Sequence, residues 1–268
     1  MKDHFILVSS NQDIASRKMA QHLIETYSFK ETNQRFEDSP IYKKGRISLI
    51  KTSKDLLFLD EPIFDPTAYI FLSRHKSESG IPSLSAHFPG NFSKVAQFGG
   101  NPSELAFTYP SLHRDYLKQL KNLKNKVLRY SIVTEPMHHG PTSFSKPVLF
   151  VEIGSSEEHW QDSDAIETVC RAVMTTAENG CSSDKISIGF GGTHYSEKFT
   201  KFITESNFAL GAIMPKYALP NLDKFILNQM ITRSIEKVSY AILDWKGVKE
   251  RDRVISLVEE AGLKIIKL

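Results

Sequence analysis

The chain of 268 residues, 40% hydrophobic, 24% charged and 10% aromatic, has the composition of a globular protein rather than a disordered, fibrous or membrane-spanning one. Its 34 basic and 31 acidic residues leave a formal charge of +3, too mild for a polyanion grip unless that grip is a local patch. Cys170 and Cys181 lack the paired short spacing of a zinc knuckle or redox motif and are expected to be reduced and structural.

In chain order, Phe5-Ile6-Leu7-Val8 predicts a buried strand and is shorter than a signal-peptide core of roughly 7 to 15 residues. A helix is expected to open near Asp13, whose carboxylate is placed to cap it. Apolar runs predict further strands at 47–50, 56–59, 68–72, 148–151, 186–188, 208–210 and 238–243. Helical patterns fall near 157–178, 197–205, 222–234 and 248–261, with Gly262 as a left-handed cap before a last strand at 263–266. Continuous apolar strands alternating with helices predict an α/β fold, a single mixed or mostly parallel sheet covered by helices on both faces. One domain over 1–268 is expected, with 73–130 as a lobe or loop-rich insertion. No run approaches the ~20 apolar residues of a membrane span, so a cytoplasmic location is the expectation.

Five of the nine histidines stand where predicted strands run into loops: His75, His87, His138, His139 and His194. In open α/β sheets, loops beyond the carboxyl ends of strands build the ligand site, so these segments are expected to converge. Imidazole suits proton transfer near neutral pH and ligation of a borderline metal such as zinc. Adjacent side chains on a strand point to opposite faces, so His138 and His139 can serve one site only if the backbone turns, as Pro136 and Gly140-Pro141 allow. Glu135, Glu152 and Glu157 are carboxylates that could complete or orient such a site. The stretch Gly189-Phe190-Gly191-Gly192-Thr193-His194 fits neither a Walker loop nor a dinucleotide fingerprint. It offers close backbone approach, or N–H groups for an oxyanion, with a plain tight turn as the equal alternative.

Residues 113–130 carry Arg114, Lys118, Lys121, Lys124, Lys126 and Arg129 against Asp115, a local +5. On a helix, Leu112, Tyr116, Leu120, Leu123, Val127 and Tyr130 would share one face, and Arg114, Lys118, Lys121 and Arg129 would stripe the other. A solvated face is the commoner explanation of such a stripe, and a row for phosphates is the functional one.

Taken in order, Ser73-Arg74-His75 with Ser77-Glu78-Ser79-Gly80, His87-Phe88-Pro89-Gly90-Asn91, His138-His139-Gly140-Pro141-Thr142, Val151-Glu152-Ile153-Gly154-Ser155 with Trp160, and Gly191-Gly192-Thr193-His194-Tyr195 resemble the D-aminoacyl-tRNA deacylase family of the archaeal and plant type. The resemblance covers almost the whole chain. It departs at Thr193, where the family usually has a third glycine, at Ser196-Glu197, usually Ala-Pro, and at Met137, often Thr.

The resemblance implies a zinc-containing monomer with a fold akin to phosphorylases and peptidyl-tRNA hydrolase. Its implied activity is hydrolysis of the ester between a D-amino acid and the 3′-terminal ribose of tRNA, a chiral proofreading step. On this basis His138, His139, His194 and Glu152 are the candidate catalytic residues, and His87, His138, His139 and His194 the candidate zinc ligands. Arg74, His75, Asn91, Gly191, Gly192 and Thr193 are assigned to substrate, with the glycine-turn N–H groups holding the oxyanion. Arg114, Lys118, Lys121, Arg129 and Lys198 are assigned to tRNA phosphates. The partner expected is D-aminoacyl-tRNA, with no membrane and no protein partner. Two alternatives use the same residues: a metal-dependent hydrolase of small amides or peptides, and a non-catalytic tRNA- or nucleoside-binding protein.

Overall fold

The computed structural model describes residues 3–78 and 80–268, so Ser79 of the motif above lies outside the described residues. Strand β1 (Phe5–Ser10) is buried along its length, and Asp13 caps α1 (Ile14–Thr26) by accepting the Ser16 N–H at 3.0 Å. A hairpin of β2 (Lys30–Phe36) and β3 (Ser39–Lys44) leads into β4 (Ile47–Thr52), β5 (Ala68–Lys76) and β6 (Ser83–His87). Then come α2 (Pro110–Asn122), β7 (Ser131–Thr134) and β8 (Val148–Ser155). The remainder alternates: α3 (Glu157–Trp160), α4 (Ser163–Asn179), β9 (Lys185–Phe190), α5 (Glu197–Glu205), β10 (Phe208–Met214), α6 (Lys224–Thr232), β11 (Tyr240–Leu243), α7 (Arg251–Glu260) and β12 (Lys264–Lys267).

The expected α/β class and mostly parallel pairing are what form, and hydrogen bonding divides the strands between two sheets rather than one. The larger runs β2-β3-β4-β1-β5-β8-β6-β7 and the smaller β10-β9-β11-β12. Among the named strands, antiparallel pairing is confined to β2–β3, β3–β4 and β6–β8, with one isolated antiparallel bridge between Gly90 and Leu105. One apolar cluster joins both sheets, running from Leu7, Ile70 and Leu149 in the larger to Ile188, Leu210 and Ile242 in the smaller. Helix α2 contributes Leu112, Tyr116 and Leu120 to it. The opposite face of the larger sheet, with Val8, Phe71 and Phe150, packs instead against Leu56, Leu59 and Phe144, and this cluster holds no α-helical residue among those described.

Three local features depart from the sequence expectation. The run 56–59 is no strand: Asp55 accepts the Leu57 N–H at 2.9 Å and starts a 3-10 turn at Leu56–Phe58 that buries Leu56 and Leu59 while Phe58 faces out. The expected helix over 157–178 is divided because Asp162 accepts the N–H groups of Asp164 and Ala165, ending α3 after one turn and capping α4. The hairpin β2–β3 carries almost no apolar alternation, so its pairing comes from the edge it extends.

Candidate active site

The floor of the site is a face of the larger sheet. In register, Ser73 of β5 and Ser85 of β6 flank Glu152 of β8, and His87 lies opposite Phe150. Side chains two apart on a strand share a face, so His75, His87, Phe150 and Glu152 project together, and the His87 ring stacks on Phe150 at 5.3 Å and 6°. His75 and His87 stand at strand ends as expected, the one next to last in β5 and the other last in β6.

The walls come from two loops. After β7 the chain turns so that both His138 and His139 enter the site, as Pro136 and Gly140 suggested: their rings lie 4.4 Å apart, and His138 is 4.1 Å from His87. His139 takes up a left-handed φ of 47° to achieve this. A Cβ on the following Gly140 would stand 2.2 Å from the Gly100 nitrogen, so only glycine fits. The smaller sheet supplies the second wall, the β9–α5 loop, with His194 4.8 Å from His138 and Tyr195 hydrogen-bonded to His75 Nε2.

Two groupings emerge inside this cluster. In the first, the Nδ1 atoms of His87, His138 and His139 meet the carbonyls of Phe88 (3.2 Å), Pro136 (2.9 Å) and Gly140 (2.7 Å). A carbonyl only accepts, so each Nδ1 is the donor and each Nε2 keeps its lone pair. His87 Nε2 is buried with no hydrogen-bond partner among the described residues. Ligating atoms of these three rings lie within 4.8 Å of one another. Burial pushes all three imidazoles below the usual histidine range, His87 and His139 well below it. Neutral rings with carbonyl-anchored Nδ1 and ligating atoms this closely spaced are a donor set that fits a borderline divalent cation such as zinc.

The second grouping is Glu135, His75 and His194, with Glu152 beside it. Glu135, at 1% exposure, meets His194 Nε2 at 2.9 Å, His75 Nδ1 at 3.3 Å and His138 Nε2 at 3.7 Å. Burial opposes its charge, but the His194 ring in close contact and the surrounding imidazoles outweigh that and hold its carboxyl well below the usual range. Glu152, 3.2 Å from His75 Nδ1 and 3.8 Å from His87 Nε2, is pushed up by burial and by the neighbouring Glu135 charge. Burial also opposes a charge on His75, yet the Glu152 hydrogen bond and both carboxylates raise its pKa to about 9. His75, Glu152 and His194 line a cleft of about 510 Å³, with Glu135 buried behind it, and Asp13, Asp55, Arg74 and Lys76 line it too.

The other expected site residues divide. Arg74 lines the cleft, its guanidinium 5.3 Å from the Trp160 ring and its backbone N–H donated to the Asp13 carboxylate at 2.7 Å. Asn91 clamps a neighbouring loop by donating to the Gly99 carbonyl at 2.9 Å. The Gly191 N–H donates to the Met214 carbonyl at 2.9 Å, which removes it as an oxyanion donor, and the Thr193 hydroxyl donates to the Tyr195 carbonyl. Lys198 is paired with Asp244. Along the basic segment, Arg114 donates to the Ser182 carbonyl (2.7 Å), Lys118 to the Ser206 carbonyl (2.7 Å), and Arg129 bridges Glu158 and Asp162; Lys121 is exposed with no such partner among the described residues.

Sequence reasoning gave Glu135 as one of three carboxylates that could complete or orient the site and did not single it out as the hub. Its signal was the spacing of three residues to His138 at a strand end. Tyr195 was signalled only as the neighbour of His194.

A buried carboxylate–imidazole pair beside three converging imidazoles, set in an α/β fold, defines a hydrolytic centre of the general acid–base or metal-assisted kind. The family model described as D-aminoacyl-tRNA deacylase matches residues 63–266. The D-aminoacyl-tRNA deacylase of Pyrococcus horikoshii is 35% identical over 98% of this chain and 99% of that protein, and that of Methanocaldococcus jannaschii 37% identical over 97% and 98%. The crystal structure of a conserved protein of unknown function superposes with a TM-score of 0.91 at 28% identity, covering 100% of this chain and 96% of that one. The chain belongs to the D-aminoacyl-tRNA deacylase family.

Proposed function

We propose that the Glu135–His194 cleft is where this deacylase hydrolyses the ester joining a D-amino acid to the 3′-terminal ribose of tRNA. The observation that carries the assignment is the buried Glu135 carboxylate 2.9 Å from His194 Nε2. Such a carboxylate fixes the tautomer with the proton on Nε2 and leaves Nδ1 as the base, the logic of a hydrolytic dyad. His194 Nδ1 takes a proton from the water that attacks the ester carbonyl. When the tetrahedral intermediate collapses, the same nitrogen returns that proton to the departing ribose oxygen, releasing tRNA and the free amino acid.

His75, cationic at neutral pH with its pKa near 9, balances the buried Glu135 charge, and Tyr195 holds its other nitrogen. His87, His138 and His139 would hold zinc, which when bound supplies Lewis-acid polarisation of the ester carbonyl. Asp13 and Asp55 give the cleft carboxylates for the substrate ammonium, while Arg74 and Lys76 are the lining cations suited to nearby phosphate. Selection of one hand requires ammonium, carbonyl and side chain to be fixed at once, so that the L-isomer clashes. The core shared by the two sheets supports reading the chain as one domain. A monomer in the cytoplasm is the simplest form consistent with this reading. D-tyrosyl-tRNA should be deacylated and L-tyrosyl-tRNA spared; a protein inert toward both would refute the reading.

A further inference from the structure

On the far side of the His138–His139 wall lies a second pocket, of about 320 Å³, that the chemistry above does not use. Both histidines line it, and so does Phe98, which also lines the catalytic cleft. Its outer residues are apolar and exposed: Phe98 at 65%, Tyr217 at 59% and Val95 at 59%. No carboxylate lines it, whereas Asp13, Asp55 and Glu152 line the cleft. Its polar lining includes the amides of Gln97 and Asn221, whose side chains make no hydrogen bond among the described residues.

We propose that this pocket receives the terminal nucleobase of the substrate, stacked on Tyr217 and Phe98; the proposal rests on the deacylase reading above. An ester placed at the histidine wall has the amino acid on one side and the terminal nucleoside on the other. The cationic ammonium belongs with carboxylates, and a neutral π-face belongs with aromatic rings and amides. The two pockets divide in that manner. Neither ring is spent elsewhere: among the described residues, Phe98 and Tyr217 stack on no other ring. Both are presented on clamped loops. The Gly140 N–H donates to the Phe98 carbonyl at 2.9 Å, and the Lys216 N–H to the Gly192 carbonyl at 3.1 Å. Each loop is therefore tied to a turn that carries a site histidine, which sets the base platform at a fixed offset from the ester. Lys94 and Lys216 stand next in sequence to lining residues Val95 and Tyr217 and have no ion-pair partner among the described residues, leaving them for the phosphates upstream of the terminal nucleotide.

The test compares D-tyrosyl-tRNA ending in adenosine with the same ester on a terminal ribose that lacks its base. In the wild type, loss of the base should raise KM about tenfold, the worth of one stacked base, with kcat little changed. Tyr217→Ala should show most of that loss with the adenosine substrate and only a small further loss on removing the base, the share left to Phe98, while Tyr217→Phe should restore the wild-type KM. Equal penalties for base removal in wild type and Tyr217→Ala overturn the proposal. So does a Tyr217→Phe variant as impaired as Tyr217→Ala, because the hydroxyl rather than the ring would then matter. A wild type inert toward both substrates refutes the deacylase reading itself. In that case titration with the oligonucleotide CCA still decides: saturable millimolar binding lost in Tyr217→Ala supports the pocket, and no binding overturns it.

Discussion

The cleft and helix α2 are both rich in charge, and they use it in opposite ways. In the cleft, ionisable groups are buried to an unusual degree, with Glu135 at 1% and His87 at 0% exposure, and His87 Nε2 is left without a partner. Along α2 and the segment after it, the cations are spent on the protein itself: Arg114 and Lys118 satisfy carbonyls, Lys124 donates to the Leu128 carbonyl at 2.7 Å, and Lys126 pairs with Glu167 at 2.7 Å. A local excess of charge in a sequence thus says little about partners until its donors are accounted for. An unmet buried atom is the more informative sign where ligating groups surround it, as they do His87 Nε2: leaving it unpaired costs about 1 to 3 kcal/mol, whereas the equally unmet Tyr116 hydroxyl of α2 belongs to no such grouping among the described residues.

The contrast can be broken first at its strongest point. Glu135→Gln should cut kcat by about 10³-fold or more, with KM little altered, because His194 loses the carboxylate that orients it; single-turnover deacylation beside a thermal melt would expose the alternative, a merely structural role. Next, elemental analysis of the purified protein should find zinc, and His87→Ala should weaken its retention by about 100-fold or more. Undiminished zinc in that variant would dissolve the three-imidazole grouping.

A third prediction concerns the buried side of α2. His113, whose Nδ1 donates to the Leu210 carbonyl at 3.0 Å, has its pKa lowered to about 4 by burial, against 6.5 for an unperturbed ring. Between those values the unfolded chain binds a proton that the folded chain refuses. Stability should therefore fall as pH drops from about 6.5 towards 4, by about 3 kcal/mol from this group. Urea unfolding of wild type and His113→Gln across that range should show a shallower slope in the variant, the remainder coming from the other buried imidazoles. The smallest effect is expected at Lys121, where Lys121→Ala should change the salt slope of tRNA binding by about one counterion at most. A larger change would return α2 to the RNA interface.

Much of this was legible in the residues. Strands such as β1, β5 and β8 are continuous apolar runs because both their faces are covered, and α5 was readable from end to end from its amphipathic pattern. The hairpin β2–β3 was not, since a polar edge pair has no buried face to write an alternation. Within the site, the five histidines and Glu152 declared themselves by residue type and by the family resemblance. The rank of Glu135 over Glu157 did not, because it depends on which carboxylate the sheet register brings under His194. Nor could spacing reveal that the Gly191 N–H is committed to Met214, or that Tyr217 and Phe98 stand exposed beside the histidines. Hydrogen-bond commitment and exposure are properties of the packed molecule.

The bond between His75 and Tyr195 joins strand β5 of one sheet to the β9–α5 loop of the other, and the Glu135–His194 contact spans the same seam. Catalytic competence is thus a gauge of how the two sheets are seated. A substitution in the shared core far from any histidine, if it lets the sheets slide by a fraction of an ångström, should silence the enzyme well before it melts the fold, so that loss of turnover becomes the earliest symptom of ageing or heat.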